Sequence, residues 1–182
     1  MGPVRVRIRP TWDAIDGATL RPIAEADLGF LWDMLYEAAA ATPGIRYLPR
    51  SEALALPVVF RHLAGWGRAG DGGVVAVVDG VRAGAAWYRV FRPQERGAGV
   101  VAWPGLLEAT MAVDPRVRRR GVGGALLAAL VHAAHADGFR RVALALGADS
   151  PAAPLCRRVG FEEVASGDPA VGACRLLVAE VA

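Results

Sequence analysis

The stretch from residue 107 to residue 146 constrains the fold more than any other part of the chain. It reads LEATMAVDPRVRRRGVGGALLAALVHAAHADGFRRVALAL. A strand over residues 107–113 leads through an Asp-Pro turn and a glycine-rich turn into an amphipathic helix of about residues 123–137, which Gly138 ends. The apolar run that follows is typical of a buried strand. This order of strand, turn, helix and strand indicates an α/β chain.

The remaining segments supply further strands and helices around this unit. We predict a strand at residues 19–22, a helix capped near residues 24–27, a second helical piece interrupted at Pro57, a hairpin of residues 74–78 and 83–91, a short helix in SPAAPLCRRVGF and a closing strand in RLLVAEV. The hairpin is the clearest of these, because Asp79-Gly80 suits a tight turn. We expect an N-terminal extension at residues 1–18 and a single domain at residues 19–182.

The composition excludes several classes of protein. Apolar residues make up 54% of the chain and charged residues 21%, which fits a globular fold with a large interior. Apolar runs fall short of the ~18 to 20 residues of a membrane span, and the start, MGPVRVRIRPTWD, has no apolar signal core. We therefore expect a cytoplasmic protein without a membrane partner. Two cysteines, with no His/Cys spacing of a zinc site, call for neither a disulfide framework nor a metal.

A cluster of cations stands where the long helix begins. Arg116, Arg118, Arg119 and Arg120 precede the glycines 121, 123 and 124. The N-terminus of a helix carries partial positive charge, so cations are disfavoured there unless a negative ligand arrives. Glycines let a backbone approach such a ligand, and N–H groups at the helix start point outward. The pattern predicts a site for a pyrophosphate.

Two better-known phosphate loops fit this stretch poorly. A Walker loop needs Gly-Lys-Ser/Thr, and this chain has no lysine. A dinucleotide fingerprint needs a third glycine where Leu126 stands. Binding of nucleic acid through the arginines is a weaker alternative, because the net charge is only +3 and no broad basic stripe interleaved with aromatics is seen.

The stretch resembles the GNAT superfamily of acyl-CoA-dependent N-acyltransferases, whose phosphate loop has the pattern Gln/Arg-x-x-Gly-x-Gly/Ala. RRRGVG at residues 118–123 matches it position for position, and TMAVDPRVRRRGVGGALL also reproduces the strand and Asp-Pro turn before it. ADSPAAPLCRRVGF is similar to the family's Asn-x-x-Ala-x-x-Leu-Tyr-x-x-x-Gly-Phe segment, and LRPIAEADL to its opening. The resemblance spans roughly residues 19–165.

The resemblance implies an α/β (α+β) fold. Its central sheet is expected to be mixed and twisted, with about six or seven strands flanked by about four helices. Two central strands splay apart and admit acetyl-CoA, the implied acyl donor. The residues that the resemblance assigns to the cofactor are Met111, Ala112 and Val113, whose backbone would pair with the pantetheine arm, the pyrophosphate loop Arg118, Arg119, Arg120, Gly121, Val122, Gly123, Gly124 and Ala125, and Asp149 at the family's asparagine position. A backbone N–H near Ala112 would bind the thioester oxygen.

Acetyl transfer to an amine needs a neutral amine, a stabilised oxyanion and a proton for the departing thiolate. Glu108 is the candidate base, acting directly or through water. The alternative is that Glu108 is an ordinary solvated carboxylate at the start of a strand. The family's tyrosine falls on Cys156, which is either a proton donor or a small buried residue. Tyr88 on the hairpin is another candidate acid, and solvent is a third source of the proton.

The resemblance implies direct transfer of an acetyl group to a primary amine in a ternary complex. The acceptor is a small molecule or a peptide, bound on a side built from the variable loops at residues 40–70 and 92–105. Tyr36, Tyr47 and Trp87 come from regions that line the acceptor side in the family, and we expect them to form an aromatic pocket. A non-catalytic acyl-CoA-binding sensor or interaction domain is the alternative, which the substitution at Cys156 keeps open. The terminal strand CRLLVAEV is of a kind that pairs between copies, which would give a homodimer.

Overall fold

A computed structural model describes residues 17–42, 44–92, 95, 106–147, 150–166 and 174–181. Asp149 and residues 1–16 of the expected N-terminal extension lie outside these ranges, so the division at residue 18 stays a prediction. The described residues form seven strands: β1 (Ala18–Pro22), β2 (Gly72–Val78), β3 (Val81–Arg89), β4 (Leu106–Val113), β5 (Arg141–Gly147), β6 (Glu162–Ser166) and β7 (Cys174–Glu180). They form five α-helices: α1 (Leu28–Ala39), α2 (Arg50–Ala55), α3 (Pro57–Phe60), α4 (Val122–Ala136) and α5 (Ala153–Arg158).

The strands make one sheet in the order β1-β2-β3-β4-β5-β7-β6. Five of the neighbouring pairs are antiparallel, and β4 pairs parallel with β5. The connection between these two parallel strands contains α4, as a crossover between parallel strands requires. The α/β fold with a mixed sheet expected from the sequence is therefore confirmed, with α4 in the connection between the two parallel strands.

The β2–β3 hairpin turns at the two residues that the sequence indicated. Asp79 has φ 52° and Gly80 has φ 76°, and a two-residue turn with both φ values positive matches the right-handed twist of the flanking strands. The register is interrupted between Ala76 and Val77, where the pairing with β3 shifts by one residue. The hairpin prediction is confirmed.

Each face of the sheet is covered by a different set of helices. On one face α4 buries Leu126, Leu127 and Leu130, together with residues such as Tyr88, Ala109 and Cys156. On the other face α1 buries Leu31 and Leu35 in a cluster that includes Trp87 and Ala112. Since neighbouring residues of a strand point to opposite faces, Leu107, Ala109 and Met111 face α4 while Glu108, Thr110 and Ala112 face α1.

Two elements differ from the sequence-based expectation. The helical piece around Pro57 consists of two short helices, α2 and α3, because the proline starts a new helix where its fixed φ is tolerated. Strand β6 was not predicted, and it pairs antiparallel with β7 at one edge of the sheet. Across the described ranges, no helix has both the length and the apolar character that a membrane span requires.

Candidate active site at the split between two parallel strands

Strands β4 and β5 pair along only half of their length. Their parallel register runs from Leu106 opposite Arg141 to Ala109 opposite Leu144. Beyond that point residues 110–113 of β4 still pair with β3, and residues 145–147 of β5 still pair with β7. The two strands therefore separate at Thr110, and each turns an open backbone edge towards the other. An extended ligand can add to such an edge as a strand does.

The pairing with β3 fixes which backbone groups of β4 face this split. The N–H of Asp114 donates to the carbonyl oxygen of Ala83 at 2.9 Å. Because backbone groups of a strand alternate in direction, the N–H of Ala112 also points to β3, and those of Met111 and Val113 point to the split. The groups that face the split are thus those of Met111 and Val113, and the Val113 carbonyl already accepts from Arg118 Nε at 3.0 Å. The oxyanion contact expected near Ala112 stays a prediction.

The split opens beside the first turn of α4. Arg119 has φ 66° and Gly121 has φ 87°, so the chain makes two left-handed steps just before the helix. Gly124 and Ala125 donate the first helical bonds, both to the carbonyl of Gly121, at 3.0 and 3.2 Å. The N–H groups of Val122 and Gly123 precede these bonds and point out of the helix start. This arrangement suits a phosphate group.

The arginines of the loop divide into two kinds. Arg118 donates from Nε to the carbonyl of Val113 at 3.0 Å and from Nη2 to Glu37 at 2.8 Å. Arg116 forks onto Asp114, with Nη2 and Oδ2 2.6 Å apart, and this pair holds the pKa of Asp114 down at about 2. Arg119 and Arg120 are exposed on the turn itself. Arg118 and Arg116 therefore fix the loop, and Arg119 and Arg120 are placed to contact an anion.

The glycines of the helix start also have a packing role that the sequence did not indicate. A Cβ at Gly123 would lie 3.1 Å from Leu155 Cδ2 and 3.6 Å from Val113 Cγ2, and one at Gly124 would lie 3.5 Å from Leu155 Cδ1. Their small size lets α5 pack on the first turn of α4. Val122 and Ala125 are buried in the core. With a left-handed turn, outward N–H groups and two exposed cations, this helix start fits a diphosphate.

On the α1 face of β4, a group of polar side chains surrounds Glu108, which is 6% exposed. Arg61 Nη2 donates to Glu108 Oε1 at 2.7 Å, and His62 Nε2 lies 3.6 Å from the same oxygen. His62 Nδ1 lies 3.0 Å from the hydroxyl of Thr110. Glu108 is therefore not a solvated carboxylate at a strand start. It is a buried group held next to the split by residues that follow α3.

A second ion pair clamps the segment that carries Arg61 and His62. Arg89 is 1% exposed and binds Asp71 through Nε at 2.8 Å and Nη2 at 2.6 Å. Its Nη1 donates to the carbonyls of Arg61 and Ala64, at 2.8 and 2.7 Å. Breaking such a buried pair by removing one partner is costly, because it leaves an uncompensated charge. The clamp fixes the backbone of the segment against β3.

The two candidate acids lie on the opposite face of the sheet from Glu108. The Tyr88 hydroxyl donates to Asp137 at the end of α4, and burial together with this bond raises the pKa of the phenol. Cys156 is 0% exposed in the core under α4, and burial raises the pKa of its thiol to about 11. Because both side chains pack on the α4 face of the sheet, the structure does not bring either one together with Glu108.

The three aromatic residues expected around an acceptor are also not gathered in one pocket. Trp87 is 1% exposed, and its Nε1 donates to the carbonyl of His62 at 3.3 Å. Tyr47 is 83% exposed, and the ring of Tyr36 lies 5.6 Å from the guanidinium carbon of Arg50. Trp87 is therefore buried beneath His62, Tyr36 is half-buried, and Tyr47 is exposed.

A cavity of about 710 Å³ lies at the other end of the sheet from the loop. Residues at the end of β1, the start of β2 and the end of α4 line it, among them Pro22, Gly72 and Asp137. None of its lining residues belongs to the split or to the loop before α4. Within the described ranges, no group of three or more His, Cys, Asp or Glu residues is placed to hold a metal ion.

The described residues form a mixed sheet whose parallel central strands separate beside a glycine-rich helix start. The sequence matches the profile of the Acetyltransferase (GNAT) family over residues 32–161, and the chain belongs to this family. It is therefore an acetyltransferase, and acetyl-CoA is its donor. No curated protein matches the chain.

Solved structures share the fold over most of the chain. One is the putative acetyltransferase yncA from Salmonella typhimurium with acetyl-CoA, at 20% identity over 92% of this chain and 95% of that one, with a TM-score of 0.62. Another is a phosphinothricin acetyltransferase from Sinorhizobium meliloti in complex with acetyl-CoA, at 26% identity, 91% and 89% coverage and a TM-score of 0.63. A third is the ribosomal-protein-S18-alanine N-acetyltransferase from Escherichia coli, at 17% identity over 91% of this chain and 94% of that one, with a TM-score of 0.62.

Proposed function

We propose that the chain transfers the acetyl group of acetyl-CoA to a primary amine by direct attack within a ternary complex. The observation that carries the proposal is the separation of β4 from β5 at Thr110, between the helix start of α4 and the buried Glu108. One end of this split suits a diphosphate, its edge suits an extended amide chain, and a carboxylate lies at its beginning. Acetyl-CoA has the first two groups in that order, with the reactive thioester at the end.

The chain's own residues hold the donor at three places. Arg119, Arg120 and the N–H groups of Val122 and Gly123 bind the diphosphate, since cations and a helix start both favour negative charge. The backbone of Met111 and Val113 pairs with the pantetheine arm. When bound, acetyl-CoA supplies an activated acyl group. An N–H of β4 that faces the split stabilises negative charge on the thioester oxygen. Asp149 stays a predicted contact of the same arm.

Glu108 prepares the amine. An amine reacts only when its lone pair is free, so a proton must leave the ammonium form or the attacking nitrogen. The Glu108 carboxylate accepts that proton, directly or through a water molecule, while a C–N bond forms and the C–S bond breaks. Arg61 keeps the carboxylate oriented at the split. Burial of this ion pair restricts Glu108 to one position, as a general base requires.

The proton for the departing thiolate comes from solvent in this proposal. Tyr88 and Cys156 face the α4 side of the sheet, and their hydroxyl and thiol are held in the interior. A thiolate of coenzyme A is a stable leaving group near pH 8, because the unperturbed pKa of a thiol is ~8.5. A dedicated acid is therefore not needed for turnover.

The acceptor is an amine on a small molecule or a peptide. The structural neighbours include an aminoglycoside acetyltransferase, AAC(6′)-Ib, in complex with ribostamycin and coenzyme A, and an enzyme named for the alanine of ribosomal protein S18. These names support an amine as the acceptor group. The molecules that carry the amine differ between the two enzymes. A cytoplasmic location and pairing of copies through the terminal strands also stay proposals.

The test is turnover of acetyl-CoA with a panel of amines, followed by free thiol release and by the mass of the product. We expect thiol release that depends on the amine, and a product heavier by one acetyl group. Glu108→Gln should lower kcat by ~100-fold or more, because general-base catalysis contributes roughly 10² to 10⁴, without weakening the binding of coenzyme A. Binding of acetyl-CoA without turnover by any amine would favour the non-catalytic sensor instead.

A further inference from the structure

The residue that connects the two polar side chains of β4 at the split is His62. Its imidazole lies across the α1 face of the strand, with Nδ1 3.0 Å from Thr110 Oγ1 and Nε2 3.6 Å from Glu108 Oε1. Thr110 is the first residue of β4 beyond the parallel pairing with β5. The imidazole therefore reaches both the proposed base and the hydroxyl that lies where the strands separate.

The position of the imidazole is fixed on several sides. Trp87 Nε1 donates to the backbone carbonyl of His62, and the ring of Phe91 meets the imidazole edge to face, with centroids 5.3 Å apart. Arg89 holds the neighbouring backbone through the carbonyl of Arg61. The His62 side chain is 14% exposed. A largely buried polar ring with this many constraints keeps a single orientation towards Thr110.

The surroundings also fix the protonation state of the ring. Burial, followed by the positive charges of Arg61 and Arg89, lowers the pKa of His62 to about 3. The charged groups that face the ring are Arg61, Arg89 and Glu108, and Arg61 is already paired with Glu108. The imidazole is thus neutral at physiological pH. A neutral imidazole carries one N–H donor and one acceptor nitrogen.

The neighbours decide which nitrogen carries the hydrogen. Glu108 in its ionised form only accepts hydrogen bonds, so the nitrogen on its side, Nε2, is the favourable place for the N–H. Nδ1 is then the acceptor, and the Thr110 hydroxyl must donate its one hydrogen to it. The lone pairs of Thr110 Oγ1 are left to accept a hydrogen bond from another donor.

We propose that His62 is a positioning residue that turns the Thr110 hydroxyl into a hydrogen-bond acceptor for the attacking amine. The start of the split then presents two acceptors, the oxygen of Thr110 and the carboxylate of Glu108, to the N–H groups of the acceptor. Such a pair orients the nitrogen lone pair towards the split and disfavours a hydroxyl acceptor, which has one hydrogen to give instead of two or three. The inference rests on the proposed function of Glu108 and adds the contacts that select an amine.

The first test needs no activity. In the protein labelled with ¹⁵N, two-bond histidine correlations report which ring nitrogen is protonated. We expect His62 to be the neutral Nε2–H tautomer throughout pH 5 to 8, and Thr110→Val to move the Nδ1 resonance. A Nδ1–H tautomer, or titration of this ring near pH 6.5, would overturn the inference. Absence of turnover with every amine in the panel would instead refute the proposed function, and the tautomer of His62 could still be determined.

The second test uses kinetics. Thr110→Val removes the acceptor oxygen at nearly constant shape and should raise KM for the amine, or lower kcat/KM, by ~10-fold, with KM for acetyl-CoA unchanged. Thr110→Ser should keep most of the activity. His62→Phe should match Thr110→Val, and the double variant should be no worse than either. Additive losses would mean that the two residues act independently, which contradicts the proposal.

Two controls separate positioning from folding. His135→Phe makes the same chemical change at an exposed position of α4 and should leave both KM values unchanged. Because His62→Phe alters a buried site, its affinity for coenzyme A and its thermal unfolding are compared with those of the wild type. If it does not fold, the Thr110 pair still decides the question: equal KM values for the amine in Thr110→Val and Thr110→Ser would overturn the inference.

Discussion

Arg118 and Glu37 form an ion pair with Nη2 and Oε2 2.8 Å apart, while Arg118 Nε donates to the carbonyl of Val113. The side chain thereby links α1 to the end of β4 just before the glycine-rich loop that precedes α4. Arg118 stands at the first position of the family's phosphate-loop pattern. In this structure, however, its guanidinium donates to Val113 and Glu37. This link helps to hold the loop beside the end of β4, and we propose that Arg119 and Arg120 make the direct contacts with a diphosphate.

The exposed arginines are therefore expected to dominate electrostatic binding of the donor. Replacing both, Arg119→Ala with Arg120→Ala, should weaken the affinity for coenzyme A by ~10-fold at low salt, since charge contacts of exposed side chains contribute up to about 1 kcal/mol each. The salt dependence of binding should fall as well. Titration calorimetry measures both effects.

The controls for this experiment lie on the same chain. Arg140→Ala removes an exposed arginine far from the loop and should leave affinity unchanged. Glu37→Gln should change affinity by less than ~3-fold, because a partly exposed ion pair contributes only about 0 to 1 kcal/mol. Equal losses for Arg140→Ala and for the double variant would show that the loop has no special role.

Asp27 should make the stability of the fold dependent on acid pH. It is 2% exposed, and the hydrogen bonds from Arg21, at 2.6 and 2.8 Å, lower its pKa to about 2 in spite of burial. The pKa is depressed in the folded state, so the stabilisation is present above pH ~4 and is lost as pH falls towards 2. Asp27→Asn should cost about 1 to 2 kcal/mol at pH 7 after allowance for the partly exposed Arg21.

Urea unfolding of the wild type and of Asp27→Asn between pH 2 and pH 7 measures this term. The difference in the free energy of unfolding should be constant from pH 5 to 7 and should shrink between pH 4 and 2. A difference that stays constant down to pH 2 would show that Asp27 does not have a depressed pKa.

Cys156 is expected to be a packing residue. Cys156→Ala should lower the free energy of unfolding by about 1 to 2 kcal/mol, because it leaves a small cavity in a fully buried site. It should leave kcat within ~2-fold of the wild type. In a Cys174→Ser background, Cys156 should also resist a thiol reagent at pH 8 until the protein unfolds. A 10-fold loss of kcat at unchanged coenzyme A affinity would restore Cys156 as the acid.

Gly72 should tolerate no side chain. A Cβ at this position would lie 2.5 Å from Tyr88 Cζ, and Tyr88 cannot withdraw without losing its bond to Asp137. Gly72→Ala should therefore destabilise the fold by about 1 to 3 kcal/mol, the usual cost of overpacking. The matched control is Gly29→Ala in α1, where nothing lies within 4 Å of the added atom. It should raise stability by about 0.5 to 1 kcal/mol, and thermal unfolding of the two variants checks both signs.

Local sequence patterns were sufficient for most of the fold. The turn at Asp79-Gly80 and the apolar stripe of α4 were both recognised, because their signals lie within a few residues. Strand β6, EEVAS, was missed because it is short and three of its residues are charged or polar, and its pairing with β7 depends on contacts far along the chain. Tertiary context decides such edge strands.

The site was only partly accessible to sequence reasoning. The loop before α4 has a contiguous pattern, so its residues could be named in advance. Arg61 and His62 were missed, since they lie 47 and 48 residues before Glu108 and Thr110, respectively, and meet them only through the packing of α3 on the sheet. A histidine next to an arginine after a broken helix was the only available signal. Which face Tyr88 occupies likewise depends on the register of β3, which the sequence alone does not fix.

The measurement that tests the central claim most directly is amide hydrogen exchange with and without acetyl-CoA. If the donor adds to the open edge of β4 and its diphosphate binds the start of α4, peptides that cover residues 106–113 and 118–125 should become protected, and peptides from β2 should not change. Protection confined to other regions, or no change at saturating acetyl-CoA, would contradict the assignment of the split as the donor site.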